Sequence, residues 1–445
     1  MSAMVSVVLA WTMATSGDHP VDRILKDAQA SARVAVAERC DDDTFVRRSC
    51  LDLIGRIPTE DEWRQFRDQP DRSRWIEQLV ARPAFAQHMS EVWTAAWMGF
   101  ANDGQADREL LRMWLQDQLQ SDVPFDRIGQ SLIAGRGDSA VNGPVNFVLQ
   151  HGDDAGVQVA RQFLGVRLDC ARCHDHPFAN WTQDDFAKFS RFFSLVEMTD
   201  ISRGNIRVTD RLAEPDEADM PRFLNGGRPQ TSQWRSELAL WTIRSRSFAR
   251  NFANRTWYHF MGQGIVDPPD ETHSVQQASC RPLLEFLADY SRRHEFSIRD
   301  LATLICTSEA YQRSSADPIT DDNAVLLFAV HPLKPLTPEQ LFDSIATAYQ
   351  LKPDASERRE FVQSHRGNVL DQDFVLTWKY RETCQQLLDR MTTDSLPTWS
   401  GDLDSVFLRL LSRHPTPAQR ELCRTHSIET VAFALLQSNE FVFSH

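Results

Sequence analysis

Apolar residues recur along most of the chain at spacings of three and four, which place side chains on one face of an α-helix. Several helix starts are marked by a threonine followed three residues later by a glutamate or glutamine, the signature of a capping box. This signature occurs at Thr59–Glu62, Thr337–Gln340 and Thr416–Gln419. A weaker version at Thr182 precedes a run of phenylalanines at helical spacing. The pattern predicts a mainly α protein.

Alternation of apolar and polar residues, which marks half-buried strands, is scarce. The best strand candidate is the short segment GNIRVT at residues 204–209. It lies in a stretch, residues 200–230, that is rich in Arg, Asp, Glu, Gly and Pro and poor in aliphatic residues, as is typical of a linker or surface excursion. We therefore expect two helical halves packed together, residues 18–199 and 231–445, joined by this stretch with its minor, short β structure.

The composition is that of an ordinary globular chain, with 42% hydrophobic and 25% charged residues over a length of 445. These values exclude a disordered acidic protein, a collagen and a multi-span membrane protein. The net charge of −14 repels phosphate backbones, so nucleic acid is not expected as a partner. The chain has 12 Trp and 26 Phe but 5 Tyr. So many aromatic side chains indicate that the protein buries or surrounds a large group.

An apolar run at residues 4–13 has the length of the hydrophobic segment of a signal peptide and is too short to span a bilayer. Small residues at 14–16 suit cleavage, but no Lys or Arg precedes Arg23, so the usual positive charge before the run is missing. Residues 1–17 are therefore interpreted either as a signal peptide or as a hydrophobic N-terminus that packs on the body of the protein. No other stretch of the sequence predicts a transmembrane span.

The segment Cys170-Ala-Arg-Cys173-His174 has the C-x-x-C-H pattern of covalent c-type haem attachment. In such sites the two thiols form thioether bonds to the haem vinyl groups, and the histidine supplies the proximal nitrogen to the iron. The other six cysteines are scattered singly, which is not the density of a disulfide-stapled domain. Cys170, Cys173 and His174 are therefore the candidate haem-binding residues, with His174 as the iron ligand.

Two other interpretations of this motif stay open. Two thiolates and two imidazoles satisfy a tetrahedral zinc ion, although four ligands within residues 170–176 are closer together than zinc sites usually place them. A ligand from elsewhere in the chain would relax that objection. The candidate zinc ligands are Cys170, Cys173, His174 and His176, with Cys280 or His259 as the distant one. The third interpretation is a redox disulfide between the two cysteines of the C-x-x-C pair.

The C-x-x-C-H motif belongs to a longer pattern, LGVRLDCARCHDHPF at residues 164–178, followed by WTQDDF at 181–186. With FVRRSCLDLIGRIPT at 45–59, it resembles the planctomycete cytochrome-like family DUF1549. In the second half, FANRTWYH at 252–259, TSEAY at 307–311 and the closing LLQSNEF at 435–441 resemble the companion family DUF1553. The resemblance covers residues 22–445, nearly the whole chain.

The resemblance implies an exported protein of cytochrome-like character, and it assigns no biochemical activity. Export agrees with a signal peptide and with haem c, which is assembled outside the cytoplasm. The chain departs from the DUF1553 pattern at Ser279-Cys280-Arg281, where Ser-His-Pro is usual. A change from histidine to cysteine keeps the capacity to bind a metal, but the loss of a structural histidine is the simpler interpretation of Cys280.

Arg255 and His259 form a second cluster, because residues four apart share a face of a helix. They are the candidate catalytic residues. His259 would act as a distal iron ligand or an acid–base group, and Arg255 would bind a haem propionate or an anionic substrate. The competing interpretation, which we favour, is a hydrogen-bond network that fastens this helix to the first half.

We therefore expect a periplasmic or secreted protein with one haem c and a redox role, and with a redox protein or an envelope component as its partner. The sixth coordination position of the iron decides between electron transfer and peroxide chemistry, and hence whether the protein is an enzyme. The sequence does not identify that ligand. The alternative is a haem-free scaffold of the cell envelope whose Cys/His cluster binds zinc or forms a disulfide.

Overall fold

The fold is that of a computed structural model, which describes most of the chain. The described residues are 19–99, 105–175, 180–202, 204–211, 220–315, 321–352, 354–365 and 398–445. Residues 1–17 lie outside them, so the signal peptide stays a prediction. Within the described ranges, no helix is both long enough and apolar enough to cross a lipid bilayer.

Helices make up most of the described chain. In chain order they are α1 (Pro20–Ala32), α2 (Asp42–Ile54), α3 (Glu60–Asp68), α4 (Arg72–Val80), α5 (Pro83–Met98), α6 (Arg108–Gln120), α7 (Phe125–Ala134), α8 (Val145–His151), α9 (Ala155–Leu164), α10 (Gln183–Ser190), α11 (Trp234–Arg244), α12 (Arg246–Met261), α13 (Arg281–Arg293), α14 (Ile298–Thr307), α15 (Asp322–Leu326), α16 (Pro338–Ala348), α17 (Ala355–His365), α18 (Leu403–Leu411), α19 (Pro417–Cys423), α20 (Ile428–Leu436) and α21 (Asn439–Val442). The prediction of a mainly α protein is confirmed.

The predicted helix starts are confirmed at the level of single hydrogen bonds. Thr59, Thr337 and Thr416 each accept a hydrogen bond from the backbone of the residue three positions on, whose own side chain bonds back to the threonine N–H. Thr182 does the same with Asp185 at the start of α10. These caps satisfy N–H groups that have no partner inside the helix, so they define where each helix begins.

The strands form two small sheets. They are β1 (Gly137–Asp138), β2 (Val196–Ser202), β3 (Asn205–Asp210), β4 (Lys334–Pro335) and β5 (Phe443–Ser444). β3 lies between β1 and β2 and is antiparallel to both, with Met198 opposite Val208. β3 confirms the strand predicted at residues 204–209, and the β structure is short and minor as expected.

The main hydrophobic core draws on both predicted halves. Trp93 of α5 stacks on Phe252 of α12 with ring centroids 6.1 Å apart, and Phe125 packs against the same phenylalanine at 4.5 Å. A smaller core joins Leu51 of α2 and Ile57 to the C-terminal helices. Part of the aromatic surplus therefore packs ring against ring in the centre of the protein. The halves at 18–199 and 231–445 stay a prediction.

Candidate functional site

The C-x-x-C-H motif lies on a surface turn directly after α9. The helix ends at Gly165, and after a short loop the residues Asp169–Ala171 form one 3₁₀ turn. Buried Ala171 anchors this turn to the body of the protein. Cys170 and Cys173 are exposed and both are free thiols. The thiols are therefore open to covalent chemistry from the solvent side.

His174 completes the turn and is also exposed. Its Nδ1 lies 2.8 Å from the backbone carbonyl oxygen of Asp175, to which it donates in the tautomer that this contact favours. The carboxylate of Asp175 accepts from the backbone N–H of Gln183 at 3.0 Å, which ties the turn to the start of α10. With Nδ1 engaged, the Nε2 of His174 carries the lone pair that a metal would bind. Iron-binding histidines commonly have their second nitrogen held in this way.

A buried ionic network supports the turn from behind. Arg161 of α9 donates from Nε to a carboxylate oxygen of Asp270 at 2.5 Å, and both side chains are 2% exposed. Arg167, in the loop before the motif, pairs with Glu271 at 2.9 Å. Burial raises the pKa of Asp169, the residue before Cys170, and nearby Arg161 opposes that shift. The network therefore joins the loop before the motif to the segment 270–271.

The two segments approach most closely at Gly165. This residue has a φ of +63°, and a Cβ built on it would lie 1.8 Å from the Oγ1 of Thr272. Both the left-handed backbone and the contact require glycine here. The next residue, His273, donates from its backbone N–H to the carbonyl oxygen of Gly165 at 3.1 Å, and its Nδ1 lies 2.9 Å from the same oxygen. His273 is thereby held against the loop that leads into the motif.

A cleft of about 700 Å³ opens beside these two segments. We call it the aromatic cleft, after its apolar walls of Leu164, Val166, Trp181, Phe223, Leu240 and Trp241. Its walls include residues just before and just after the motif in the chain, together with α11. His273 lines it, as do the guanidinium groups of Arg228, Arg244 and Arg250. Glu237 also lines the cleft, and Arg250 is paired with Glu285, so the polar part of the lining carries charges of both signs beside its flat apolar walls.

His259 occupies a different environment from the motif. Its ring nitrogen Nε2 lies 2.9 Å from the backbone carbonyl oxygen of Asp52 on α2, and its ring is 5.5 Å from that of His88 on α5. Burial lowers the pKa of His259 to about 4, with Lys334 adding to the shift. The imidazole is therefore neutral near pH 7 and takes part in contacts between the predicted halves. It is not among the residues that line the aromatic cleft.

Arg255, on the same helix as His259, contacts α9 rather than α2. Its guanidinium is buried, with Nη2 3.5 Å from the carbonyl oxygen of Arg161 and Nε 3.4 Å from Asn251. Burial lowers its pKa to about 10, so it remains charged at neutral pH. Arg255 thus reaches the motif indirectly, through the backbone of α9. The two candidate catalytic residues share one helix but contact different neighbours.

A buried polar cluster surrounds Lys334 and was not anticipated from the sequence. Its Nζ donates to a carboxylate oxygen of Asp52 at 2.6 Å and to the backbone carbonyl oxygens of His259 and Phe260 at 3.2 and 2.8 Å. The hydroxyl of Tyr311 donates to the second carboxylate oxygen of Asp52 at 2.9 Å. Burial lowers the pKa of Lys334, and Asp52 opposes that shift. No periodic pattern in the sequence links these residues.

The candidate zinc ligands lie in different environments, since Cys170 and Cys173 are exposed and Cys280 is buried. Cys280 is buried at the start of α13, and burial raises the pKa of its thiol, which disfavours the metal-binding thiolate. Among the described residues, no three of His, Cys, Asp and Glu are grouped so as to hold a metal ion. His176 lies outside the described residues. Zinc binding through Cys170, Cys173 and His176 therefore stays a prediction.

The fold and the site define a mainly helical protein that presents a C-x-x-C-H turn on its surface. Comparison with protein families then identifies it: residues 20–198 match PSCyt2, a protein of unknown function (DUF1549), and residues 234–369 match PSD1, a protein of unknown function (DUF1553). The chain therefore belongs to the proteins that carry a DUF1549 domain followed by a DUF1553 domain. No curated protein and no solved structure matches it. The resemblance to DUF1549 and DUF1553 stated from the motifs is confirmed over these two ranges, and the planctomycete origin stays a prediction.

Proposed function

We propose that this protein is exported and carries one haem c, attached through Cys170 and Cys173 with His174 as the proximal iron ligand, and that it has a redox role. The observation that carries the proposal is the geometry of His174. Its Nδ1 is held by a backbone carbonyl oxygen, its Nε2 is left with a lone pair, and two exposed free thiols precede it. When bound, the haem supplies one-electron redox chemistry at its iron.

The chain's own groups account for the attachment. Cys170 and Cys173 would hold the haem through two thioether bonds, each formed by addition of the thiol S–H across a vinyl C=C bond. This addition needs thiols that are reduced and accessible, as Cys170 and Cys173 are. The buried pair of Arg161 and Asp270 would hold α9, which leads into the motif, in place during the attachment. Because such attachment takes place outside the cytoplasm, a periplasmic or secreted location is part of the proposal.

Expression in an export-competent host, with and without a haem c maturation system, tests the proposal. We expect the matured protein to gain the mass of one haem, to keep it after denaturation, and to give a pyridine haemochrome spectrum. Cys170→Ser and Cys173→Ser should each remove one thioether bond and shift that spectrum. Cys423→Ser is the matched control, since Cys423 is a half-buried free thiol on α19, outside the motif, and should leave the spectrum unchanged.

The same preparation separates the proposal from the alternative of a haem-free envelope scaffold. A colourless matured protein with one equivalent of zinc by elemental analysis would reject the haem and favour a zinc site. A colourless, metal-free protein whose two motif thiols resist alkylation until reduction would favour the disulfide. In either case the partner would be a component of the cell envelope rather than a redox protein.

A further inference from the structure

We propose that the aromatic cleft binds an aromatic acid, that is, a flat apolar ring that carries a carboxylate. The ring lies against the apolar walls, and the carboxylate meets the guanidinium group of Arg244, with Arg228 adding positive charge. Cys170, Cys173 and His174 are not among the residues that line the cleft, so this site is separate from the haem of the proposed function. Three features of the described residues support it: the chemistry of the walls, their rigidity, and the balance of charges.

The walls of the cleft are aliphatic as well as aromatic. The side chains of Leu164, Val166 and Leu240 form no hydrogen bonds, and Trp181 and Trp241 add flat indole rings. The cleft volume of about 700 Å³ lies within the range of small-molecule sites. An aromatic ring suits such walls, because it carries no hydroxyl groups that need partners. A sugar ring would leave hydroxyl groups against aliphatic carbon without hydrogen bonds, which is costly.

Contacts within the protein hold the aromatic wall in place. The ring of Phe223 is stacked on Phe192 with centroids 4.7 Å apart, and on Trp241 at 5.0 Å. The loop after it is closed by two hydrogen bonds of 2.8 Å, from the N–H of Gly226 to the carbonyl oxygen of Phe223 and from the N–H of Phe223 to that of Gly227. A wall that is already ordered loses little conformational freedom when a ligand binds, so more of the contact energy contributes to affinity.

Two of the charged side chains that line the cleft are engaged within the protein. The Glu237 carboxylate accepts hydrogen bonds from the backbone N–H groups of Gln230 at 2.8 Å and Thr231 at 2.5 Å. It therefore fastens the loop before α11. Arg250 is paired with Glu285 of α13. These two groups build the cleft and are not the ones that recognise the ligand.

The other two charged side chains of the lining are cationic. Arg228 and Arg244 are exposed, so they stand at the mouth of the cleft, and within the described part of the chain neither forms an ion pair with a carboxylate. The three arginines of the lining outnumber Glu237 and Glu285 together, although the chain as a whole has a net charge of −14. A guanidinium group can bind a carboxylate through two parallel hydrogen bonds. The positive balance at the mouth therefore favours a ligand whose ring enters the cleft and whose carboxylate stays at the rim.

Binding of naphthoate to the matured full-length protein tests the site, with naphthamide as the neutral compound of the same shape. Titration calorimetry gives the two affinities, and nuclear Overhauser effects from the naphthyl protons to the methyl groups of Val166 and Leu240 locate the ligand. Arg244→Gln removes the charge at an exposed position, where the fold does not depend on it. The matched control is Arg127→Gln, because Arg127 is exposed on α7 and does not line the cleft.

We expect the wild type to bind naphthoate about tenfold more tightly than naphthamide, as a charge-assisted hydrogen bond implies. Arg244→Gln should lose most of this preference, and Arg127→Gln should keep it. Equal affinities of the wild type for the two compounds, an unchanged preference in Arg244→Gln, or bound naphthoate without contacts to Val166 and Leu240 would overturn the inference. Tighter binding of glucuronate than of naphthoate would also overturn it, in favour of a saccharide site. None of these results depends on the haem, so the proposed function is tested separately.

Discussion

Replacing Lys334 by methionine is expected to destabilise the fold strongly, because its ammonium group holds together parts of the chain that are far apart in sequence. The side chain is 12% exposed, and its partner Asp52 is 3% exposed. Nζ also bonds the carbonyl oxygens of His259 and Phe260, which are among the last four of α12 and have no partner within the helix. Lys334 thus neutralises a buried carboxylate and caps a helix at once.

The expected loss of stability follows from what methionine leaves behind. The Asp52 carboxylate would remain buried with the Tyr311 hydroxyl as its remaining hydrogen bond from this cluster. Breaking a buried ion pair from one side costs about 3–5 kcal/mol, and leaving helix carbonyls without donors adds about 1 kcal/mol. A loss of about 5 kcal/mol is comparable to the whole unfolding free energy of many proteins, about 5–15 kcal/mol.

Urea unfolding followed by tryptophan fluorescence measures this loss. The matched control is Lys352→Met, because Lys352 is exposed and its replacement should change the unfolding free energy by less than about 0.5 kcal/mol. The double variant Asp52→Asn with Lys334→Met should be more stable than Lys334→Met alone, since no unpaired charge is then buried. A Lys334→Met protein within about 1 kcal/mol of the wild type would refute the reasoning, because the carboxylate would then not depend on the ammonium group.

Two further expectations concern the loop contact and the buried histidines. Gly165→Ala should cost about 2–4 kcal/mol by urea unfolding, because its Cβ would meet Oγ1 of Thr272 at 1.8 Å. Gly152→Ala is the matched control, with a φ of +50° but open space around it, and an equal loss in both variants would contradict the steric argument. Burial lowers the pKa of both His259 and His151 to about 4. As the pH falls from 6.5, these two histidines are therefore protonated in the unfolded chain before they are protonated in the folded protein. Each histidine should therefore withdraw roughly 3 kcal/mol of stability between pH 6.5 and 4. Titration of either ring near pH 6.5 in the native protein by NMR would contradict this.

Local rules in the sequence were sufficient to predict where several helices begin and to find the C-x-x-C-H motif. Each capping box acts through the threonine and the residue three positions later, so the starts at Thr59, Thr182, Thr337 and Thr416 were predictable from neighbours alone. The C-x-x-C-H pattern is likewise local. Its five residues are neighbours in the chain, so they can be recognised without knowledge of the tertiary structure. The DUF1549 and DUF1553 families were recognised from motifs of the same local kind.

The tertiary structure decided which neighbours Arg255 and His259 contact. Arg255 and His259 share a helix, as their spacing predicts, yet one contacts the backbone of Arg161 and the other that of Asp52. Helical periodicity defines a face of a helix but not which neighbours pack against it, because several elements surround α12.

The contacts of Lys334 and His273 join positions far apart in the chain. Lys334 lies 282 residues from Asp52, and His273 lies 108 residues from Gly165. No sequence spacing encodes such pairs, since they form only when separate helices pack into one core. The sequence by itself thus determined the helices, the motif and the family, and only packing placed His273 against Gly165 in the loop that leads into the motif.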